Sequence, residues 1–419
     1  MTNKVKQLLL TATILLCIQR LTAKDIVEET SMLDSGFMRS LFHSFRDFTF
    51  RLVGSTSRKT RGNFLQEPNE NFPCDLRGMR SKRVPTSVHR LKPGDIDVIA
   101  AIGDSLTAAS GATSTRFQDL FMENRGLSWS IGGQWNWRNV TTLPNILKEY
   151  NPKLVGYSRN DAYPFHEDTQ FNMAEIGAVS ADIPFMAKAL VRRIKRDKRI
   201  NFKKDWKMVT ICMGGNDICS FICLMQDPES LPEKHRNSLI KALRYMRDNM
   251  PRTFVNIVPV PLVETVVTYE KKPLQCQILH HGECSCWVGR LYNQTKELQE
   301  RYSVIQRKMQ DIEEEVASMK EFRGLKEFAV MYQPFSRRLN LSTETSSHDF
   351  SLLAFDCFHM SQKGNAWAGV TLWNSLLEPP GSKSLNWVSP KKKFLCPTTE
   401  QPYFYTHDNY RYFSSVNNV

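Results

Sequence analysis

The stretch that decides the fold is Val98-Ile99-Ala100-Ala101-Ile102-Gly103-Asp104-Ser105-Leu106-Thr107-Ala108-Ala109-Ser110-Gly111. It begins as a short apolar run, which predicts a strand buried on both faces of a sheet. The run breaks at Gly103-Asp104-Ser105. Ser105 therefore follows the carboxyl end of the strand, where open α/β sheets bind their ligands. The alternative is a tight turn in which Asp104 or Ser105 only caps the next helix.

Apolar strands and amphipathic helices alternate along the rest of the chain. Further strands are predicted over Gly126–Gln134, Lys207–Met213, Thr253–Val260 and Phe328–Tyr332. Helices are predicted over Thr142–Tyr150, Ile183–Arg196, His235–Met250, Arg290–Phe322 and Gly364–Leu377. This alternation is typical of an α/β fold with a parallel sheet covered by helices on both faces.

The first 23 residues have the pattern of a secretory signal peptide. Lys4 and Lys6 precede an apolar core over Leu8–Ile18, and Leu21-Thr22-Ala23 supplies a small-residue cleavage site. The core is too short to span a bilayer, and no later apolar run reaches its length. We therefore expect a mature protein that is secreted, soluble and without a transmembrane anchor.

The ten cysteines fit an oxidising compartment. Loss of Cys17 with the signal peptide leaves nine, so at least one thiol is free or paired between chains. Cys212 lies in an apolar strand and is a candidate for a buried free thiol. The segment Gln275–Trp287 combines three cysteines with His280 and His281, but the spacing matches no standard zinc pattern. Disulfides of undetermined connectivity are therefore favoured there over a metal site.

The formal net charge of +13 favours anionic partners such as acidic lipid headgroups or nucleic acid. No zinc-finger, RNP-type or aromatic-interleaved basic motif supports nucleic acid, so the alternative to a lipid surface is a basic solvated exterior. Sequons at Asn139, Asn293 and Asn340 are predicted surface glycosylation sites in a secreted chain.

Several groups at predicted strand ends suit the hydrolysis of an ester. A serine nucleophile needs a base, and a histidine base needs a carboxylate to orient it. The chain offers Ser105 as nucleophile, and Asp356 lies three residues before His359, within reach of its Nδ1. The developing oxyanion needs donors, which the Asn216 amide and the N–H groups of Ser105 and Gly133 can supply.

These residues resemble the GDSL/SGNH hydrolase family. The matching motifs are Gly103-Asp104-Ser105-Leu106, the glycines 132–133, Gly214-Gly215-Asn216-Asp217 and Asp356-Cys357-Phe358-His359. The resemblance implies a three-layer α/β/α, flavodoxin-like fold. It also implies Ser105 as nucleophile, His359 as base, Asp356 as its partner, and Gly133 (or Gly132) with Asn216 in the oxyanion hole. No metal or other cofactor is implied.

Longer matches are similar to the phospholipase B1-like branch of that family. They include Gly126-Leu-Ser-Trp-Ser-Ile-Gly-Gly, Thr141-Thr-Leu-Pro-Asn-Ile-Leu, Leu372-Trp-Asn-Ser-Leu-Leu-Glu-Pro, and Cys396-Pro followed by Gln401-Pro-Tyr. This branch implies release of fatty acids from phospholipids and lysophospholipids, with transient membrane-surface contact. An esterase for another acyl ester, such as an acylated sugar, and a non-catalytic lipid- or glycan-binding protein are the alternatives.

The expected organisation has four parts. A signal peptide over residues 1–23 is followed by an N-terminal extension over 24–90, in which residues 38–50 could form a short amphipathic helix. The GDSL/SGNH hydrolase domain is expected over 91–380 and a C-terminal tail over 381–419.

Overall fold

A parallel sheet forms the centre of the protein in the computed structural model. The structure describes residues 35–55, 71–268, 272–289, 295–341 and 350–410, so the predicted signal peptide and the sequon at Asn293 lie outside the described residues. Four strands occur in the order β1-β2-β3-β4 within the described ranges. Their bounds are β1 Ile96–Gly103, β2 Trp206–Cys212, β3 Thr253–Ile257 and β4 Phe328–Tyr332.

The strands are almost entirely buried, which is why they appear in the sequence as apolar runs rather than alternating ones. Successive side chains of β1 enter two different cores. Ile99 and Ala101 pack into one core, whereas Val98, Ala100 and Ile102 pack into the other. The sheet is thus the middle layer between two hydrophobic cores.

Helices cover both faces of this sheet. The helices are α1 Gly36–Val53, α2 Ser105–Ala108, α3 Leu143–Tyr150, α4 Ile183–Arg196, α5 Leu231–Asn249, α6 Val263–Val267, α7 Leu274–Glu283, α8 Ser285–Val288, α9 Lys296–Ala317 and α10 Gln362–Leu376. Helices α3 and α10 contribute to one core, and α4, α5 and α9 contribute to the other. The predicted three-layer α/β/α fold is confirmed. Within the described ranges, no helix combines the length and apolar character needed to cross a membrane.

Local capping sets where the helices begin. Helix α3 starts after Thr142, whose hydroxyl accepts a hydrogen bond from the Asn145 N–H. Helix α9 starts after Thr295, whose hydroxyl accepts from the Leu298 N–H, and it stops at Ala317. It is therefore shorter than the predicted Arg290–Phe322 at its carboxyl end, because the chain turns at Ser318 before a separate 3₁₀ turn over Lys320–Phe322.

The predicted strand over Gly126–Gln134 is wrong. The segment is a compact loop that opens with a 3₁₀ turn over Arg125–Leu127 and folds back on itself, with the Gln134 N–H bonded to the Gly126 carbonyl at 3.0 Å. Leu127, Trp129 and Ile131 are buried at every second position, which imitates a strand pattern. The intervening Ser128 and Ser130 are also buried, so the segment lies inside the protein without belonging to a sheet.

Both flanks of the expected hydrolase domain pack on it. In the N-terminal flank, α1 inserts Arg46 between Glu123 and Glu175, and all three side chains are largely buried. In the C-terminal flank, Phe404 is fully buried in the core that also contains Ile99 and Ala101. A disulfide between Cys74 and Cys396 ties the two flanks together.

Four disulfides occur among the described residues, and three of them surround the segment that contains α7 and α8. They are Cys74–Cys396, Cys219–Cys284, Cys223–Cys286 and Cys276–Cys357. Cys212 is free and buried, as predicted. The preference for disulfides over zinc in Gln275–Trp287 is confirmed, because its three cysteines are all cross-linked.

Candidate active site

Ser105 is placed by the abrupt end of β1. The Asp104 carboxylate caps the following turn by accepting the Leu106 N–H at 2.9 Å, and Ser105 is the first residue of α2. Only glycine fits at position 103, because a Cβ there would lie 2.2 Å from Thr107 Oγ1 and 2.9 Å from the Cys212 carbonyl oxygen. Asp104 therefore caps the helix, and the same turn places Ser105 at the carboxyl end of β1.

Ser105, His359 and Asp356 form a continuous hydrogen-bonded relay. Ser105 Oγ lies 2.8 Å from His359 Nε2, and His359 Nδ1 lies 2.7 Å from Asp356 Oδ2. The other carboxylate oxygen, Asp356 Oδ1, accepts the N–H groups of Phe358 at 2.9 Å and His359 at 3.0 Å. The structure therefore brings together the three residues that the sequence indicates.

The surrounding loop holds this acid–base pair rigidly. The Ala354 N–H donates to the His359 carbonyl at 2.8 Å, so residues 354–359 close on themselves. Cys357, between the acid and the base, has a φ of 55° and is cross-linked to Cys276. The relay thus rests on a closed and covalently anchored turn.

Burial and pairing oppose each other in setting the pKa values of the pair. Burial alone would raise the pKa of Asp356, but the charge of His359 and the hydrogen bonds to the carboxylate outweigh it and lower that pKa. Burial alone would lower the pKa of His359, but the charge of Asp356 and their hydrogen bond raise it overall, with a further contribution from Asp104. The site therefore favours an imidazolium beside a carboxylate, the state that follows proton removal from a serine.

Asp104 is a second carboxyl group near the base, and the sequence pattern indicates for it only a capping role. Burial raises its pKa to about 6, while the Leu106 N–H and the charge of His359 act in the opposite direction. It is therefore an anion above that pH and adds to the field that stabilises the His359 cation.

Asn216 reaches the same cavity from the end of β2. Gly214 has a φ of +127°, a conformation that side chains rarely adopt, and it turns the chain towards Ser105. The Asn216 amide donates one N–H to the Ala178 carbonyl at 2.9 Å, which fixes its orientation and leaves its second N–H to donate elsewhere. Ser105 and Asn216 both line one cavity.

A buried polar network lies behind Asn216, and sequence analysis did not find it. The Asp217 carboxylate accepts the Ser180 N–H at 3.0 Å, Ser180 Oγ lies 2.7 Å from His235 Nδ1, and His235 Nε2 lies 3.2 Å from Glu313 Oε1. All four side chains are buried. Because the contacts join segments distant in sequence, no local spacing signals them.

The N–H groups of the glycine pair are both hydrogen-bonded within the protein. The Gly132 N–H donates to the Ser128 carbonyl at 2.7 Å, and the Gly133 N–H donates to the Ser158 carbonyl at 2.8 Å. A Cβ at Gly133 would lie 2.2 Å from the Tyr157 ring, so the close approach that requires glycine is to the protein's own chain. The Ser105 N–H is a backbone donor at the relay, and it has no acceptor within its helix because it lies in the first turn.

The cavity beside the relay is almost entirely apolar. Its polar members include Asp104, Ser105 and Asn216. The apolar wall contains Trp129, Val260, Val263, Phe335, Leu341 and Met360. Such a chamber excludes water and suits a hydrocarbon chain more than a sugar ring.

Residues 99–370 match the family described as GDSL-like Lipase/Acylhydrolase, and the chain belongs to this family. It is 38% identical over 336 residues to the human protein "Phospholipase B1, membrane-associated", covering 79% of this chain and 22% of the relative. The rat protein of the same name is 35% identical over 349 residues, which are 82% of this chain and 23% of the relative. The chain thus spans under a quarter of the length of these relatives.

Among solved structures, an extracellular lipase from Streptomyces rimosus matches with a TM-score of 0.33 and 14% sequence identity. The match covers 66% of this chain and 98% of the lipase.

Proposed function

We propose that this protein is a secreted serine acyl-ester hydrolase that releases fatty acids from phospholipids and lysophospholipids. The single observation that carries the proposal is the Ser105–His359–Asp356 relay at the wall of an apolar cavity. The similarity to proteins named phospholipase B1 supports the choice of lipid over other esters. The four disulfides support an oxidising compartment.

The reaction begins when Ser105 Oγ attacks the ester carbonyl carbon and its proton passes to His359 Nε2. Asp356 keeps the Nδ1 proton on the ring and stabilises the imidazolium. The negative oxygen of the tetrahedral intermediate accepts hydrogen bonds from the Ser105 N–H and the Asn216 amide. His359 then returns its proton to the leaving alcohol, and water hydrolyses the acyl-serine by the same steps in reverse. The Gly133 N–H can donate to this oxyanion only if its hydrogen bond to the Ser158 carbonyl breaks.

Contact with a lipid surface has a candidate structural basis in α1. Phe37, Leu41, Phe48 and Leu52 recur on one side of this helix and are 76%, 47%, 46% and 41% exposed, respectively. The opposite side of the helix is anchored to the protein through Arg46. An exposed apolar stripe on a basic protein suits the interface of an anionic membrane.

The activity is tested with purified protein and a panel of phospholipids, lysophospholipids, triacylglycerol and acetylated sugars, each offered dispersed and in vesicles. We expect free fatty acid from the phospholipids and lysophospholipids, with higher rates on vesicles. Release of acetate from the sugars without fatty acid would favour the other esterase. Lipid binding without any hydrolysis would favour a binding protein.

Replacement of Asn216 by alanine should lower kcat by about 10²–10³ with little change in KM, because the lost donor acts in the transition state. Steady-state kinetics on lysophospholipid and a melting curve test this, with the exposed Asn249→Ala as control. A lower melting temperature with wild-type turnover per folded molecule would show instead that Asn216 only shapes the turn.

The acid limb of the pH profile of kcat/KM should reach its midpoint above pH 6.5. His359 must be neutral to accept the serine proton, and its pKa is raised by Asp356. The residual activity of Asp356→Asn should have its midpoint at lower pH, because the negative charge that raises the His359 pKa is gone. A midpoint at or below 6.5 in the wild type, or one that the substitution does not move, would contradict this assignment.

The two predicted glycosylation sites among the described residues differ in their exposure. Asn340 is exposed and Asn139 is half-buried, so Asn340 is the more accessible acceptor of the two.

A further inference from the structure

A third carboxyl group lies beside the relay, on the side chain of Glu283. One carboxyl oxygen of Glu283, one of Asp356 and a ring nitrogen of His359 all lie within 4.8 Å of one another. Glu283 Oε2 is buried and receives no hydrogen bond from an N–H or O–H donor. Glu283 as a whole is half-buried, and the proposed mechanism gives it no role.

Two ionised carboxylates within 4.8 Å of each other repel, which favours protonation of one of the two. Asp356 accepts three N–H bonds, from Phe358 and His359 backbone groups and from His359 Nδ1. These bonds stabilise Asp356 as the anion, whereas Glu283 Oε2 has none. The proton therefore belongs on Glu283, and burial together with the charge of Asp356 raises the pKa of Glu283 well above its usual range.

The fold holds Glu283 firmly in this place. It is the last residue of α7, one turn after His280, whose Nε2 lies 3.0 Å from the Asp356 carbonyl oxygen and 3.3 Å from that of Cys357. The disulfide Cys276–Cys357 ties the start of α7 to the catalytic turn, and Cys219–Cys284 fixes the residue after Glu283.

We propose that Glu283 is a positioning residue that donates a carboxyl hydrogen bond to Asp356 and holds the carboxylate in register with His359. The inference rests on the proposed serine-hydrolase function. It also gives the cross-linked segment around α7 a role, since this segment supplies both Glu283, beside the Asp356 carboxylate, and His280, beside the Asp356 carbonyl oxygen.

The charged and titratable groups near this contact set the expected pH behaviour. Asp356 faces Glu283 directly, and His359 and Asp104 lie beyond it. His280 adjoins the Asp356 backbone, and Lys272 adds positive charge near His280. When Glu283 loses its proton at high pH, it can no longer donate a hydrogen bond to Asp356, and the two neighbouring anions repel each other, so that Asp356 is displaced from its hydrogen bond with His359. We therefore expect an alkaline decline in kcat.

Two substitutions separate a hydrogen-bond role from a space-filling one. Glu283→Gln keeps a donor of similar size and should retain wild-type kcat within about threefold, but without the alkaline decline. Glu283→Ala removes the donor and should lower kcat about tenfold to a hundredfold at unchanged KM. The exposed Glu229→Ala serves as control.

Coupling to Asp356 supplies the decisive comparison. In the Asp356→Asn background, Glu283→Ala should lower kcat by less than about threefold, because Glu283 acts through the Asp356 carboxylate, which is then absent. The proposal would be overturned if Glu283→Gln and Glu283→Ala lowered kcat equally. It would also be overturned if the losses in kcat from Glu283→Ala and Asp356→Asn were fully additive. Restoration of Glu283→Ala by Ca²⁺ or Mg²⁺, or loss of wild-type activity with EDTA, would overturn it in favour of a cation site.

A readout independent of turnover separates this proposal from the proposed function. The NMR signal of the His359 Nδ1 proton reports the Asp356–His359 hydrogen bond even if no substrate is hydrolysed. We expect this signal to be unchanged in Glu283→Gln and shifted or lost by solvent exchange in Glu283→Ala. An unchanged signal in both variants would contradict the positioning role, whatever the enzyme's substrate.

Discussion

Replacing Ser105 with alanine is expected to lower kcat by about 10⁶, the scale of loss when the nucleophile of a serine relay is removed. The hydroxyl is the atom that attacks, and no other hydroxyl lies within hydrogen-bond reach of His359 Nε2 among the described contacts. Lysophospholipid turnover measures the loss. The melting temperature should stay close to the wild type, because the substitution removes one oxygen and leaves the Asp104 cap intact.

The exposed Ser382→Ala, outside the apolar stripe of α1, is the control for this variant. A Ser105→Ala protein that melts normally and retains a tenth or more of wild-type turnover would show that another group performs the attack.

Replacing Asp356 with asparagine is expected to lower kcat by roughly 10⁴, as for other triad aspartates. Asparagine Oδ1 can still accept the Phe358 and His359 N–H groups, so the turn should persist. The amide nitrogen, however, would face His359 Nδ1 as a donor. The ring would then carry its proton on Nε2, where it cannot accept the proton of Ser105.

Kinetics and melting of Asp356→Asn against the exposed Asp227→Asn test this expectation. A near-normal rate would mean that the imidazole is oriented without the carboxylate. A large loss of melting temperature would mean that the carboxylate contributes mainly to the turn.

Local sequence patterns predict the sheet and the relay because both leave a signal in residues that are close together in the chain. The strands are buried on both faces, so their Val and Ile runs are visible without knowledge of their neighbours. Asp356 and His359 are three residues apart, and their contact forms within one turn. Ser105 follows from the apolar run before it, since β1 must end at Gly103.

Features that depend on contacts distant in sequence were not predictable. The apolar alternation of Leu127, Trp129 and Ile131 is typical of a strand, but it belongs to a buried loop. In the same loop the Gly133 N–H donates to the Ser158 carbonyl. Cysteine spacing indicated disulfides and left their partners undetermined. The contact of Glu283 with Asp356 requires α7 to fold onto a turn more than 70 residues later in the chain, and only the tertiary structure shows it.

The most direct test of the central claim, that Ser105 is the attacking nucleophile, is covalent labelling. A serine-directed alkylphosphonate is incubated with the purified protein, and the modified peptide is identified by mass spectrometry. We expect a single adduct on the peptide that contains Gly103-Asp104-Ser105-Leu106, formed in step with loss of lipid hydrolysis and absent in Ser105→Ala. Labelling at another serine, or full inactivation without an adduct on Ser105, would contradict the proposed mechanism.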